Sequence, residues 1–221
     1  MQLAFEQHIK LQFPLLYEQK ILVAVSSGLD SMVLTDLCLK SGLKIALAHC
    51  NFKLRKTESD KEEAFVLGYA KTHKLTFFSK QFNTTHFAET TKISIQMAAR
   101  ELRYNFFDEL CRTHQFDTIL TAHHANDNLE TFFINLSRGS GIDGLTGIPK
   151  VNDKIVRPLL PFSRNQIYEY AKMHNIQWCE DSSNTSLKYQ RNALRHELIP
   201  VLKSIYPTIL EALNTTQNNL L

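Results

Sequence analysis

Residues Ile21–Ser31 read I-L-V-A-V-S-S-G-L-D-S, and M-V-L-T-D-L-C-L-K follows directly. Five apolar residues, mostly β-branched, predict a buried strand over Ile21–Val25. Ser26, Ser27 and Gly28 make a tight polar turn. A helix begins near Asp30 and runs to Lys40, with Met32, Val33, Leu34 and Leu37 on its apolar face. Such a strand–turn–helix aims free backbone N–H groups and the positive end of the helix dipole at one point. Serine hydroxyls add donors. The point suits a phosphate or pyrophosphate. The turn has neither G-x-x-x-x-G-K-[ST] nor G-x-G-x-x-G, so it is not one of the two common nucleotide fingerprints.

Outward from this unit, strand and helix patterns alternate. Strands are predicted at Lys44–Cys50, Leu75–Phe82 and Thr118–His123, with a shorter one at Ile155–Pro158. Helices are predicted at Thr57–His73, Ile93–His114, Asn126–Ser137, Arg164–His174 and Tyr189–Ser204. The alternation implies a doubly wound parallel α/β sheet with helices on both faces. Ligands of such sheets bind beyond the carboxyl ends of the strands, where Ser26, His49 and His123 fall.

Composition narrows the class. The 221 residues fit one large α/β domain. A net charge of +3 permits an RNA partner without requiring one. Cys38, Cys50, Cys111 and Cys179 are scattered, with no C-x-x-C, which fits a reducing cytoplasm better than a disulfide framework. The first ten residues lack a basic region followed by an apolar core, so no signal peptide is expected. No uncharged apolar run approaches the roughly 18 residues of a membrane helix, so no membrane partner is expected.

Three further stretches carry chemistry. In T-I-L-T-A-H-H-A-N-D-N-L-E-T, a strand ends at His123 and His124, and Asp127 and Glu130 follow on one helical face. Two carboxylates there could bind Mg²⁺ or an ammonium group. The same residue types are zinc ligands, but oxygen-ligated Mg²⁺ suits a nucleotide site better. In Q-M-A-A-R-E-L-R-Y, Arg100 and Arg103 lie i, i+3 beside Tyr104, either as phosphate ligands or as a solvated basic face. In W-C-E-D-S-S-N-T-S-L-K-Y-Q-R-N-A-L-R-H, Glu180, Asp181, Ser182 and Asn184 precede a helix bearing Arg191, Asn192, Arg195 and His196. That pattern suits an RNA backbone or a nucleotide phosphate, and equally a capped amphipathic helix. Four of the seven glycines fall in R-G-S-G-I-D-G-L-T-G-I-P after Arg138, an irregular loop of the kind that often carries function.

The phosphate turn resembles the S-G-G-x-D-S loop of the PP-loop ATP pyrophosphatases, a superfamily with an adenine nucleotide alpha hydrolase-like fold. Ser27 stands where that pattern has its first glycine. The whole series resembles the tRNA(Ile)-lysidine synthases: S-S-G-L-D-S, H-C-N-F-K-L-R, Q-M-A-A-R-E-L-R-Y, A-H-H-A-N-D-N-L-E-T, the glycine-rich stretch, R-P-L-L and E-D-S-S-N…Y-Q-R-N…R-H. It runs over roughly residues 20–203.

The resemblance implies ATP, Mg²⁺, L-lysine and the CAU-anticodon tRNA(Ile). ATP adenylates the C2 oxygen of the wobble cytidine, and the lysine ε-amine then displaces AMP. On this reading Ser26, Ser27, Gly28, Leu29, Asp30 and Ser31 bind ATP, and Asp30 and Asp127 are the candidate Mg²⁺ ligands. Asp30, Asp127, Glu130 and Arg103 carry the chemistry. His123, Asp127, Glu130, Arg138, Arg191 and Arg195 contact lysine or RNA. The alternatives are another PP-loop tRNA-modifying or AMP-forming enzyme, or an ATP- or RNA-binding module with weak catalysis. The expected organisation is a catalytic domain over residues 1–205. Residues 206–221 follow as a helix or linker toward the tRNA-binding region that family members carry beyond this point. Without that region tRNA binding is expected to be weak. The apolar face of Ile209, Leu210 and Leu213 is expected to cover that region or to pair two copies as a homodimer.

Overall fold

In the computed structural model, which describes residues 1–55, 57–180 and 190–220, strand β1 (Ile21–Ala24) lies in the middle of the sheet. Ile21 and Val23 point to one face and Leu22 to the other, and all three are fully buried. Burial on both sides explains why the run carries no polar residue. The neighbours are β2 (Ile45–Asn51), β3 (Phe77–Gln81), β4 (Thr118–Leu120), β5 (Val151–Asn152) and β6 (Ile155–Val156). Their order is β3-β2-β1-β4-β6-β5. All pairs are parallel except β5 with β6, a short antiparallel hairpin at one edge.

One face is covered by α1 (Gln2–Gln12), α2 (Leu29–Lys40), α3 (Thr57–Thr72) and α8 (Arg164–Met173). Phe5, Ile9, Met32, Leu37, Val66 and Ile167 pack on Ile21 and Val23 there. The other face is covered by α5 (Ile95–His114), whose Phe106, Phe107 and Leu110 meet Leu22, Ala46 and Ile119. The chain runs from β1 outward to β3, then returns to place β4 on the other side of β1. Strand order therefore reverses between β1 and β4, and their carboxyl ends open a crevice there.

Several elements depart from the sequence expectations. Helices α1 and α4 (Thr84–Thr91) were not anticipated. The first buries only Phe5 and Ile9, one turn apart; the second is a short helix fixed by an Asn83 side-chain cap on the His86 N–H at 3.2 Å. Ser94 caps α5 in the same way through the Met97 N–H, so that helix begins at Ile95 rather than Ile93. Strand β4 stops at Leu120, short of His123.

The long final helix expected from Tyr189 to Ser204 is broken into α9 (Gln190–Ala193), a π-helical turn (Leu194–Leu198) and α10 (Ile199–Ile205). Pro200 has no N–H and crowds the preceding turn, which forces the ladder to change there. Tyr189 lies outside the described residues, as do Asp181, Ser182 and Asn184.

Helix α6 (Ala125–Ser137) leads into the short α7 (Ile142–Leu145) within the glycine-rich stretch. The last helix, α11 (Ile209–Leu220), packs Ile209, Leu210 and Leu213 with Leu129, Phe132 and Phe133 of α6. Gln217 is buried in this contact. Its amide accepts from Asn128 at 2.6 Å and donates to the Leu145 carbonyl at 3.1 Å. Gly147 is placed against both side chains at φ +80°, and a Cβ there would fall 2.2 Å from Asn128 Oδ1. Among the described residues, no helix is long and apolar enough to cross a membrane.

Candidate functional site

The turn after β1 is folded by its own serines. The Ser31 hydroxyl donates to the Gly28 carbonyl at 3.0 Å, accepts from the Ser26 N–H at 3.2 Å, and meets the Ser26 hydroxyl at 3.2 Å. Gly28 is the N-cap of α2 and supplies no side-chain cap, so the first-turn N–H groups of a twelve-residue helix remain free to meet a ligand. Gly28 itself has an ordinary φ of −73°. The left-handed position is Ser27, at φ 71°, whose carbonyl accepts from the Cys179 N–H at 2.9 Å. The position where the PP-loop pattern has glycine is thus the one whose backbone calls for it, and this chain holds a serine there.

Asp30 follows on the first turn of α2. One of its oxygens, Oδ1, is buried with no hydrogen-bond partner. The other lies 3.6 Å from His124 Nε2. Burial works against the charge of Asp30. The hydrogen bond with His124 and the charges of His124, Arg164 and Arg195 outweigh burial and hold the carboxyl below its ordinary range.

A buried oxygen of an ionised carboxylate, beside a turn built for phosphate, is the donor chemistry that Mg²⁺ takes. No group of three His, Cys, Asp or Glu side chains is assembled around a metal among the described residues. Magnesium held by Asp30 would therefore draw its remaining ligands from substrate oxygens and water.

His124 is the N-cap of α6 and ties this loop to the second motif. Its Nδ1 accepts from the Asp127 N–H at 3.3 Å, and Asp127 Oδ2 accepts from the His124 N–H at 3.0 Å, a reciprocal cap. Burial opposes a charge on His124. The Asp127 charge and the hydrogen bond and charge of Asp30 overcome it, and the pKa is raised. With the added proton, Nδ1–H faces Asp127 Oδ2 at 3.4 Å.

Asp127 Oδ1 also accepts from Arg195 at 3.2 Å. Both of its oxygens are thus engaged, which leaves Asp30 with the free oxygen of the two expected metal ligands. Glu130 is wholly buried and bound in bidentate fashion by Arg195, at 2.7 and 3.0 Å, with Arg191 at 3.5 Å.

A cavity of about 470 Å³ opens at the crevice between β1 and β4. Ser26, Gly28, Asp30 and Ser31 line one side. Thr121, His123, Asp127 and Arg191 line another, with Arg103 and Tyr104 of α5, Cys50 near the end of β2 and Phe52 just beyond it. Arg103 lies over the Phe52 ring at 5.3 Å. His123 shares a hydrogen bond with the Thr121 hydroxyl at 3.0 Å, and burial pushes its pKa down to about 4, so the ring is neutral at pH 7. Burial likewise pushes the Cys50 thiol up to about 12.

Three expected contacts fall elsewhere. Glu130 does not line the cavity, because Arg195 and Arg191 cover its carboxylate. Arg195 is spent on Glu130 and Asp127. Arg138 is exposed at the far end of α6, roughly 16 Å along the helix axis from Asp127. Three participants, Thr121, Phe52 and Cys179, were not singled out from sequence as site residues. Phe52 sits in the H-C-N-F-K-L-R motif but reads as core. The role of Cys179 is made by its backbone, which carries no side-chain signal.

Comparison with known proteins places this geometry. Residues 1–202 match the PP-loop domain family. A tRNA(Ile)-lysidine synthase of Porphyromonas gingivalis (strain ATCC 33277) is 44% identical over 201 residues, covering 90% of this chain and 44% of the relative. One from Bacteroides thetaiotaomicron is 39% identical over 214 residues, covering 97% and 50%. The chain thus spans about half the length of these curated relatives. Among solved structures, the U34-tRNA thiolase NcsA from Methanococcus maripaludis superposes with a TM-score of 0.78 at 15% identity, covering 98% of this chain and 78% of that one, a likeness of fold. With its S-S-G-L-D-S turn at the strand-order reversal and a family match over nearly its whole length, the chain belongs to the PP-loop domain family.

Proposed function

We propose that this chain is the ATP-using catalytic part of a tRNA(Ile)-lysidine synthase. It joins L-lysine to C2 of the wobble cytidine of CAU-anticodon tRNA(Ile) in the cytoplasm and converts ATP to AMP and pyrophosphate. The observation that carries the reading is the free first turn of α2, open to the cavity beside the unpartnered oxygen of Asp30. Its support comes from relatives of that name at about 40% identity.

The turn Ser26–Ser31 holds the pyrophosphate end of ATP with backbone N–H groups and the dipole of α2. Asp30 holds Mg²⁺, which when bound neutralises phosphate charge. Arg103 and Arg191 line the cavity and stabilise the charge that grows at the α-phosphorus as the cytidine oxygen attacks. The lysine ε-ammonium gives its proton to solvent on entry, and neutral His123 accepts a hydrogen bond from the free amine that displaces AMP from C2. Asp127 orients the amine at the cavity wall. Glu130 acts one layer back, fixing Arg195 and Arg191. The walls hold the three reactants together and limit water, which would otherwise hydrolyse the adenylate.

The test is incubation of the protein with ATP, Mg²⁺, L-lysine and a CAU tRNA(Ile) transcript, followed by nucleoside mass spectrometry. Lysidine in place of one cytidine, with one AMP and one pyrophosphate per modified tRNA, is the expected result. Pyrophosphate release with no lysine incorporated would support a different PP-loop reaction. No release at all would overturn the catalytic reading.

A further inference from the structure

The R-P-L-L motif is left unused by this mechanism, and its arginine occupies an unusual position. Arg157 follows β6 and is only 5% exposed. Its Nη1 donates to the Pro149 carbonyl at 2.7 Å. Its Nε–H is buried without a partner. The guanidinium also lies close enough to the Tyr104 hydroxyl to feel it electrostatically. Among the described residues no carboxylate pairs with it, and the nearby Arg100 charge repels it. Every other buried charge of the site is matched: Glu130 by Arg195, and Asp30 by His124.

A buried, unpaired cation is costly, and a carbonyl and a hydroxyl do not neutralise it. Arg157 nevertheless stands next to the cavity wall: the carbonyl of Val156, the residue before it, accepts from the N–H of cavity-lining Thr121 at 3.1 Å. Tyr104, which it lies close to, lines the wall, and so does His123, which feels its charge. A charge held close behind a wall and shielded from solvent acts through low dielectric and is screened little by salt.

We infer that Arg157 is a charge-bearing positioning residue, a buried guanidinium behind Tyr104 and His123 whose missing counter-charge is the phosphate ligand of the cavity. This rests on the reading of the cavity as an ATP site. Arg157 touches no reacting atom. It draws the anion in through its field, and it fixes Tyr104 and the end of the glycine-rich stretch at Pro149. The arrangement trades stability of the empty protein for affinity.

That trade gives the experiment. Wild type, Arg157→Met and Arg157→Lys are titrated calorimetrically with inorganic pyrophosphate and with ATP, each with Mg²⁺, at low and at raised salt. Each protein is also melted with and without ligand. Arg157→Met is expected to bind both ligands about tenfold more weakly at either salt concentration. Ligand-free, it melts no lower than wild type, and saturation raises its Tm less. Arg157→Lys, which keeps the charge, stays within about threefold of wild type.

A structural peg would behave otherwise, and Arg157→Met that melts lower or fails to fold overturns the inference. So do unchanged affinity, a difference that vanishes with salt, or Arg157→Lys binding as weakly as Arg157→Met. If wild type itself binds neither pyrophosphate nor ATP, the nucleotide reading fails first and separately.

Discussion

The turn Ser26–Ser31 and the cluster of Asp127, Glu130, Arg191 and Arg195 are both polar and both sit at the carboxyl ends of the central strands, yet they are built on opposite plans. The turn folds its serine hydroxyls onto each other and leaves its helix N–H groups and Asp30 Oδ1 unspent. The cluster spends nearly everything internally, with Glu130 wholly buried under two arginines. A region that awaits a ligand leaves donors and acceptors unmatched. A region that holds a shape matches them. Residue type alone does not separate the two, since each contains an acid on the first turns of a helix.

The comparison breaks most sharply at Asp30. Asp30→Asn keeps size and removes the charge that the turn leaves open. Pyrophosphate release should fall by about 10³-fold, because the metal would lose its anionic ligand and the phosphates would lose the cation held beside them. Thermal melting should fall modestly, because Oδ1 has no partner to lose but the charge facing His124 is removed. Near-normal release would remove Asp30 from the mechanism and make the turn a plain β-to-α connection.

Glu130 should show the converse. Glu130→Gln leaves Arg195 and Arg191 facing a neutral amide in a buried setting, and breaking such a pair costs about 3 kcal/mol. A clear drop in denaturation midpoint is expected. Activity per folded molecule should fall less than in Asp30→Asn. An unchanged midpoint together with a raised KM for lysine would instead make Glu130 a substrate contact.

The sheet was legible because β1, Ile45–Ala48 of β2, and Ile119 and Leu120 of β4 are apolar on both faces, a pattern that a central parallel strand requires. The site was legible where function uses side chains at a strand's end: Ser26, Asp30, His123 and Asp127 all line the cavity or its turn. It was not legible where pairing decides the role. Asp127 and Glu130 look alike on a helical wheel, and the difference comes from Arg195, 65 residues beyond Glu130. Pro200 was visible in the sequence, yet the apolar periodicity around it read as one continuous helix. Arg138 misled because a helix carries a neighbour in sequence away by 1.5 Å per residue.

pH dependence sharpens the comparison at the two adjacent histidines, which belong one to each plan. His123 faces the cavity, and burial depresses its pKa to about 4. Between about pH 4 and 6.5 the unfolded chain therefore holds a proton that the folded chain does not, so stability falls as pH drops through that window. The slope is at most one proton, about 1.4 kcal/mol per pH unit. His124, in the internal network, is shifted the other way. Its contribution is complete below 6.5 and is lost as pH rises through its folded pKa. Urea titrations from pH 4 to 8 should show the low-pH loss in wild type and a shallower slope, by up to one proton, in His123→Gln, the remainder coming from His8 and His49, which burial also depresses. A slope unchanged in His123→Gln would assign the proton to another group.

The smallest effect is expected at Ser27, where the turn departs from the PP-loop pattern. A non-glycine residue at φ 71° costs about 1–2 kcal/mol of backbone strain. Glycine relieves it and gives back roughly 0.5–1 kcal/mol by widening the unfolded ensemble. The net gain for Ser27→Gly is thus about 0.5 kcal/mol, with pyrophosphate affinity kept or strengthened because the turn that presents the N–H groups relaxes toward its preferred geometry. Ser27→Ala is the control. It removes the hydroxyl and keeps the Cβ, so it should gain nothing from the backbone. Equal stabilisation by alanine and glycine would mean that the buried hydroxyl, not the φ angle, is the burden. A loss of phosphate affinity in both would mean that the Ser27 hydroxyl turns toward the ligand, and that the turn spends one more donor than its ligand-free geometry displays.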